Sequence, residues 1–164
     1  MATDIAPSST VFRERLWPGP LGWSFVLGFA AFVLVAVLPV HEGAAFAASA
    51  AAVVLGLAVA VRTATVVTVS DGELRAGRAH IPVAVLGTAR SLDRGGVRAA
   101  LGPGSDARAF ACLRSWIPGA VEVQVEDPAD PTPTWLVSTR RPSDLVAAIE
   151  TQKASQAAHS EQID

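Results

Sequence analysis

Cysteine and histidine are scarce in this 164-residue sequence, and each scarcity excludes a class of site. The single cysteine, Cys112, cannot form an internal disulfide, which favours a reducing compartment. The three histidines, His41, His80 and His159, lie far apart and lack the spacing of zinc ligands. We therefore expect neither a metal site nor a cofactor in this protein.

Charged residues are also few, at 17% against about 25% in an average soluble domain. The shortfall is local, because Glu42 is the one formally charged residue between Leu21 and Val61. The net charge of −2 excludes a strongly basic nucleic-acid binder. We expect no nucleic acid among the partners.

The familiar motifs of catalysis are missing as well. There is no Gly-x-Ser-x-Gly, and the glycines at 102 and 104 lack the lysine and the following helix of a phosphate-binding loop. Cys112 lies in the apolar run from Phe110 to Leu113, which is typical of a small buried side chain and not of a nucleophile. The sequence therefore predicts no catalytic residue and no enzyme.

Two long apolar runs stand out instead. Leu21–Val40 has 20 residues without a charge, about 30 Å as a helix and thus as thick as the hydrocarbon core. Ala44–Val61 adds 18 residues after a short link, and Trp17 and Trp23 lie at the entrance, where the headgroups would be. We predict a transmembrane helical hairpin over residues 21–61.

Small residues at a spacing of four suggest how the two helices pack. Ser24 and Gly28 on the first, and Gly43, Ala47 and Ala51 on the second, would let the backbones approach closely. We expect these residues to form the contact between the helices.

The positions of the arginines predict the topology. Arg13, Arg15 and Arg62 flank the hairpin, and its link has no basic residue, so the positive-inside rule puts both termini in the cytoplasm of a two-span plasma-membrane protein. A signal peptide cut near Ala45-Phe46-Ala47 is the alternative. Its apolar core would be about twice the usual 7–15 residues, and a second apolar stretch would remain after cleavage.

The rest of the chain predicts a cytoplasmic β-rich domain over residues 62–154, with residues 1–20 as a disordered or juxtamembrane N-terminus and 155–164 as a polar, frayed tail. Asp71-Gly72 is a hairpin signal, and Pro142 suits the first turn of a C-terminal helix. The fold class is α+β: a two-helix transmembrane hairpin, then a small antiparallel barrel or half-barrel closed by that helix. The predicted strands are Thr65–Val69, Glu73–Ala76, Ala79–Ile81, Val83–Leu92, Phe110–Arg114, Ala120–Glu126 and Thr134–Thr139.

Three segments resemble an actinobacterial family, domain-of-unknown-function family 3093. They are Phe12–Trp17 (FRERLW), Asp71–Gly77 (DGELRAG) with Ile81-Pro82 after it, and Asp127–Pro142 (DPADPTPTWLVSTRRP). The resemblance covers about residues 12–149, with Thr134 standing where an aromatic is expected. It implies a short, alanine-rich membrane protein with two helices and supplies no mechanism.

The part after the helices is also loosely similar to bacterial pleckstrin-homology-like (PH-like) domains. In those, paired strands come first, an Ile-Pro strand follows, and a C-terminal helix plugs a small barrel. The matching string here is Thr139–Leu145 (TRRPSDL). This resemblance implies an architecture and leaves function open.

The last predicted hairpin carries the densest polar cluster. Glu126, Asp127 and Asp130 could hold a hard cation, but Asp-Pro pairs commonly just build turns. The arginines that follow could grip an acidic partner or a phosphate, or bond Asp127 or Asp130 across the hairpin. Trp135 is an interface anchor if exposed and a core residue if not. The candidate interaction surface is Trp135, Arg140, Arg141, Asp127 and Asp130.

Charge divides the domain into two halves. Residues 62–114 have eight arginines against four acids, whereas residues 115–158 have three basic residues against six acids. The basic half directly follows the helices, so Arg62, Arg75 and Arg78 are candidates to face an anionic leaflet.

These observations predict a non-enzymatic, membrane-tethered interaction module whose partners are the lipid bilayer and an unidentified protein. An accessory subunit acting through its helices is the first alternative. A membrane-bound enzyme is the second, and it would need a deep pocket joining Asp127, Asp130 and Arg140.

Overall fold

A computed structural model of the protein describes residues 10–103 and 105–161. The chain forms two compact units. One is a helical unit over Trp17–Thr65, and the other is an α+β domain built from residues 10–16 and 66–161. The helical unit is thus an insertion within the domain.

Two helices make up the helical unit: α1 (Pro20–Val37, 18 residues) and α2 (Glu42–Thr63, 22 residues). Pro20 occupies the first turn of α1, where a missing N–H costs nothing. His41 precedes α2, and its Nδ1 accepts a hydrogen bond from the Ala44 N–H at 3.2 Å. Both helices are long and apolar enough to cross a membrane.

The two helices touch along small residues. Ala30, Ala45 and Ala60 are the buried residues of α1 and α2, and the Ser49 hydroxyl donates to the Ala30 carbonyl at 3.0 Å. A Cβ added to Gly56 would lie 2.6 Å from Val26 Cγ1, so the backbone of α2 approaches α1 closely there. The contact is therefore of the small-residue type that membrane helices use.

The sequence predicted the right kind of contact on the wrong helix faces. All five residues expected in it are exposed, and a Cβ on Gly28 would meet open space. On each helix the predicted residues do lie on one face, but that face points away from the other helix. The exposed residues are Ser24, Gly28, Gly43, Ala47 and Ala51.

The segment before α1 is a strand, β1 (Thr10–Leu16), where the sequence predicted a disordered or juxtamembrane N-terminus over residues 1–20. Its side chains alternate. Phe12 and Leu16 are buried at 5% and 0% exposure, while Arg13 and Arg15 are exposed. Residues 10–16 are therefore ordered as a strand, and residues 1–9 lie outside the described part of the chain.

After α2 the chain adds three strands to β1, in the order β1-β2-β3-β4. These are β2 (Thr65–Ser70), β3 (Glu73–Ala76) and β4 (Ala79–Pro82). Asp71 and Gly72 link β2 to β3 with φ of 53° and 74°. Positive φ at both positions marks a type I′ turn, as the Asp-Gly signal predicted.

The second sheet has the order β5-β7-β8-β6. A short 3₁₀ turn precedes it, and a helix, α3 (Arg94–Ala100), follows β5. Since β6 pairs with β8 in parallel, the sheet is mixed, whereas an antiparallel barrel was predicted. The described strands join into two sheets of four and not into a continuous barrel. The strands are β5 (Leu86–Leu92), β6 (Phe110–Cys112), β7 (Ala120–Val125) and β8 (Thr134–Ser138).

The last helix, α4 (Pro142–Glu161), begins at the predicted proline and buries Leu145 and Ile149. Both side chains belong to one hydrophobic cluster that also includes residues of the two sheets. The helix continues to residue 161, past the predicted start of a frayed tail at 155, and residues 162–164 lie outside the described part. Helix α4 and both sheets thus contribute to the larger of two hydrophobic clusters.

Candidate functional site

Asp127 and Asp130 build the turn between β7 and β8. The Asp127 carboxylate accepts the Ala129 N–H at 2.9 Å, and the Asp130 carboxylate accepts the Thr132 N–H at 2.8 Å. Both are bonds of a side chain to the backbone two residues on, which stabilise tight turns. The two acids therefore stabilise their own turn, which was the alternative to a cation site.

Trp135 is 5% exposed and packs in the core. Its ring centroid lies 4.3 Å from that of Phe110 on the neighbouring strand. The side chain is therefore not accessible to a partner in this conformation, and the interpretation of Trp135 as a core residue is the one that holds.

Arg140 contacts β1 through a buried carboxylate. Glu14 is 9% exposed and accepts the Arg140 N–H at 3.1 Å and the Thr139 hydroxyl. The Arg140 guanidinium lies 3.7 Å from the same carboxylate. A charged group this buried needs such partners, since an unpaired carboxylate would be costly. A bond from one of the arginines to Asp127 or Asp130 was one of the alternatives that the sequence left open, and the structure pairs Arg140 with Glu14 in β1.

Arg141 also reaches β1. Its Nη2 donates to the Arg13 carbonyl at 3.0 Å, and its guanidinium lies 4.9 Å above the Phe12 ring. Asp144 lies 3.8 Å away on the first turn of α4. The two arginines thus fasten the first strand to the junction of β8 and α4, while their exposed surface remains a candidate for interaction.

The candidate lipid-facing arginines lie in different settings. Arg75 pairs with Glu73 across 2.7 Å on the outer face of β3. Arg78 is exposed in the turn between β3 and β4, where the Gly77 N–H donates to the Val66 carbonyl at the start of β2. Arg62 is exposed in the last turn of α2.

An arginine-lined hollow, which the sequence did not reveal, lies between α3 and the loop after β6. Arg94, Arg98 and Arg114 line it, and its volume is about 500 Å³. We call it the arginine groove. A second hollow that shares Arg94 adjoins it and reaches Arg140. The one feature of the sequence that could have indicated this groove is the spacing of Arg94 and Arg98, one helical turn apart.

Cys112 is buried, and burial raises the pKa of its thiol above the ordinary value of 9.0. Arg114 opposes this shift more weakly. A thiol of this kind is a poor nucleophile at neutral pH. Within residues 10–103 and 105–161, no three His, Cys, Asp or Glu side chains come together as metal ligands would.

The fold thus defines a class: an α+β domain of two four-stranded sheets and a C-terminal helix, with an apolar helical hairpin inserted after its first strand. A family model described as "Protein of unknown function (DUF3093)" matches residues 11–149. The chain belongs to this family, as its sequence motifs indicated. No curated protein and no solved structure matches the chain.

Proposed function

We propose that this protein is an integral membrane protein whose two-sheet domain is a non-enzymatic interaction module held at the membrane surface. The observation that carries the proposal is the exposure of α1 and α2. In their most apolar stretches only 6% and 11% of the residues are buried, which argues against core helices of a soluble protein. Large apolar side chains left in water at this density would be strongly unfavourable.

The insertion of the hairpin supports two spans and argues against a signal peptide. Cleavage near Ala45-Phe46-Ala47 would remove β1, and with it Phe12 and Leu16 from the core. The Glu14 carboxylate and its bonds to the β8–α4 junction would be lost too. A mature protein without these residues would have an incomplete sheet.

The same insertion supports a topology with both flanks of the hairpin on one side. The neighbouring strands β1 and β2 belong to one sheet, so the chain leaves the domain and returns to it. Two crossings satisfy this requirement and a single crossing does not. The arginines at 13, 15 and 62 favour the cytoplasm for that side, by the positive-inside rule.

A non-enzymatic role agrees with how the polar side chains are engaged. The carboxylates of Asp127 and Asp130 are bonded to their own turn, and that of Glu14 holds Thr139 and Arg140. Arginines that remain exposed, such as Arg78, would face the anionic leaflet, each contributing about 1 kcal/mol when close to it. The protein partner would bind the exposed part of Arg140 and Arg141.

Topology is tested with single cysteines in a Cys112→Ala background. Val40, in the link between the helices, is 82% exposed, and Ala129 is exposed in the β7–β8 turn. An impermeant maleimide added to intact cells should label Val40→Cys, and should label Ala129→Cys only after permeabilisation. The opposite pattern would reverse the orientation. Release of the protein by alkaline carbonate would contradict membrane insertion.

Partner binding is tested by crosslinking the full-length protein in its native cell and identifying what co-purifies. Arg140→Ala should reduce recovery of the partner, and the matched control Arg108→Ala, which removes an exposed arginine in another loop, should not. Equal recovery with both variants would contradict the proposed surface. Loss of the partner only when the hairpin is replaced by an unrelated anchor would favour the accessory-subunit alternative.

A further inference from the structure

Three arginines line the arginine groove. None of the described residues that line it is acidic. Arg94 and Arg98 are exposed, and within residues 10–103 and 105–161 neither forms an ion pair. Like charges placed side by side repel one another. A bound anion would remove this repulsion.

The groove is held in shape by its backbone partners. The Arg114 N–H donates to the Ser138 hydroxyl at 2.9 Å, and its Nη1 donates to the Leu113 carbonyl at 3.0 Å. The first bond ties the loop after β6 to β8, and Arg114 lines the hollow. Arg94 and Arg98 lie on α3, one turn apart on the same side. The planar guanidinium groups of arginines that line one hollow suit the oxygens of a phosphate.

An exposed apolar side chain borders the charged hollow. Leu101, which lines it, is 52% exposed. A free phosphate would use only the arginines and leave this side chain in water. An amphiphile would cover it with its apolar part, because removing apolar surface from water is favourable.

We propose that the arginine groove binds the phosphate of an anionic phospholipid headgroup, with Leu101 against the glycerol and upper acyl chain. The volume of about 500 Å³ is in the range of small-molecule sites. Lipid is available to the domain because β1 ends at Leu16 and the apolar helix α1 begins at Pro20. This inference depends on the proposed membrane attachment only for access to lipid.

The test uses the full-length protein in a neutral detergent, with lipid adducts counted by native mass spectrometry. The probes are short-chain phosphatidylglycerol, short-chain phosphatidylcholine and inorganic phosphate. The test variant is Arg94→Gln with Arg98→Gln. The matched control is Arg90→Gln with Arg108→Gln, which removes two exposed arginines outside the groove. A second variant, Arg94→Lys with Arg98→Lys, keeps the positive charge and removes the planar guanidinium groups.

Phosphatidylglycerol should bind the groove variant about tenfold more weakly than the wild type, and the control variant within about twofold of it. The lysine variant should lie between them. Equal weakening in both glutamine variants would overturn the groove as the site. Binding of inorganic phosphate as tight as that of phosphatidylglycerol would overturn lipid as the ligand. Because the assay needs no membrane, these failures are distinguishable from a failure of the topology experiment.

Discussion

Glu14 on the first strand and Thr139 at the end of the last strand share a buried hydrogen bond, although 125 residues separate them in the chain. The helical hairpin lies between them in sequence. The bond therefore joins the segment that enters the hairpin to the segment that leads into the final helix.

The first prediction concerns this carboxylate. Glu14→Ala leaves the Thr139 hydroxyl and the Arg140 N–H without their acceptor in a buried site, so it should destabilise the domain by about 1–3 kcal/mol. Thermal unfolding of the full-length protein in detergent measures this. Arg13→Ala, next to it on the exposed face, is the control and should stay within about 0.5 kcal/mol. Equal effects of the two would contradict the role of the junction.

The second prediction concerns the β2–β3 turn. Gly72 has φ of 74°, and a Cβ added to it would lie 2.1 Å from Gln156 Nε2 on α4. Gly72→Ala should lower the free energy of unfolding by about 1 kcal/mol or more, since the backbone is strained and the side chain must move.

Gly95→Ala provides the comparison for that turn. Gly95 lies within α3, and the nearest atom to an added Cβ is an Asp93 oxygen at an ordinary 3.4 Å. Alanine favours the helix there and should raise stability by up to about 1 kcal/mol. If denaturant unfolding shows the same change in stability for both variants, the geometry of the β2–β3 turn does not explain the effect of Gly72→Ala.

The third prediction concerns the helical hairpin. Gly56→Leu would push against Val26 and should separate the helices, whereas Gly28→Leu points into open space and should be tolerated. The midpoint of thermal unfolding in detergent, followed by helical circular dichroism, should fall for the first variant alone. A fall for Gly28→Leu instead would mean that the predicted small-residue face is the true contact.

The fourth prediction concerns Cys112. Burial raises the pKa of its thiol and limits access to it, so the native protein at pH 8 should react with a thiol reagent more slowly than the unfolded chain. The ordinary pKa is 9.0 and the folded pKa lies above it. The protonated thiol thus favours the folded state at low pH, and this contribution is lost as the pH rises beyond about 9. Equal reaction rates in the two states would show that the thiol is accessible.

Local sequence determined most of the elements. The apolar runs gave both helices because length and hydropathy are properties of a contiguous segment. Asp71-Gly72 predicted its turn, since few residue pairs accept positive φ twice, and Pro142 marked the start of α4. The family was also accessible from short motifs, because a motif needs no knowledge of the fold.

The candidate site could be predicted from local sequence only in part. Whether Trp135 is exposed, and which acid pairs with Arg140, depends on contacts between distant segments. The arginine groove likewise combines α3 with the loop after β6, so no single stretch of sequence contains it.

Residues 10–16 show most clearly what only the tertiary structure decided. Taken alone, a short segment with two arginines and a glutamate before an apolar helix is typical of a juxtamembrane flank. It becomes a strand because β2, which begins 49 residues after Leu16, supplies its hydrogen-bonding edge, and because the junction of β8 and α4 neutralises Glu14. A strand is stable only with such partners, whereas a helix satisfies its own backbone. The sequence could therefore specify the helices by itself, but not the strand that precedes them.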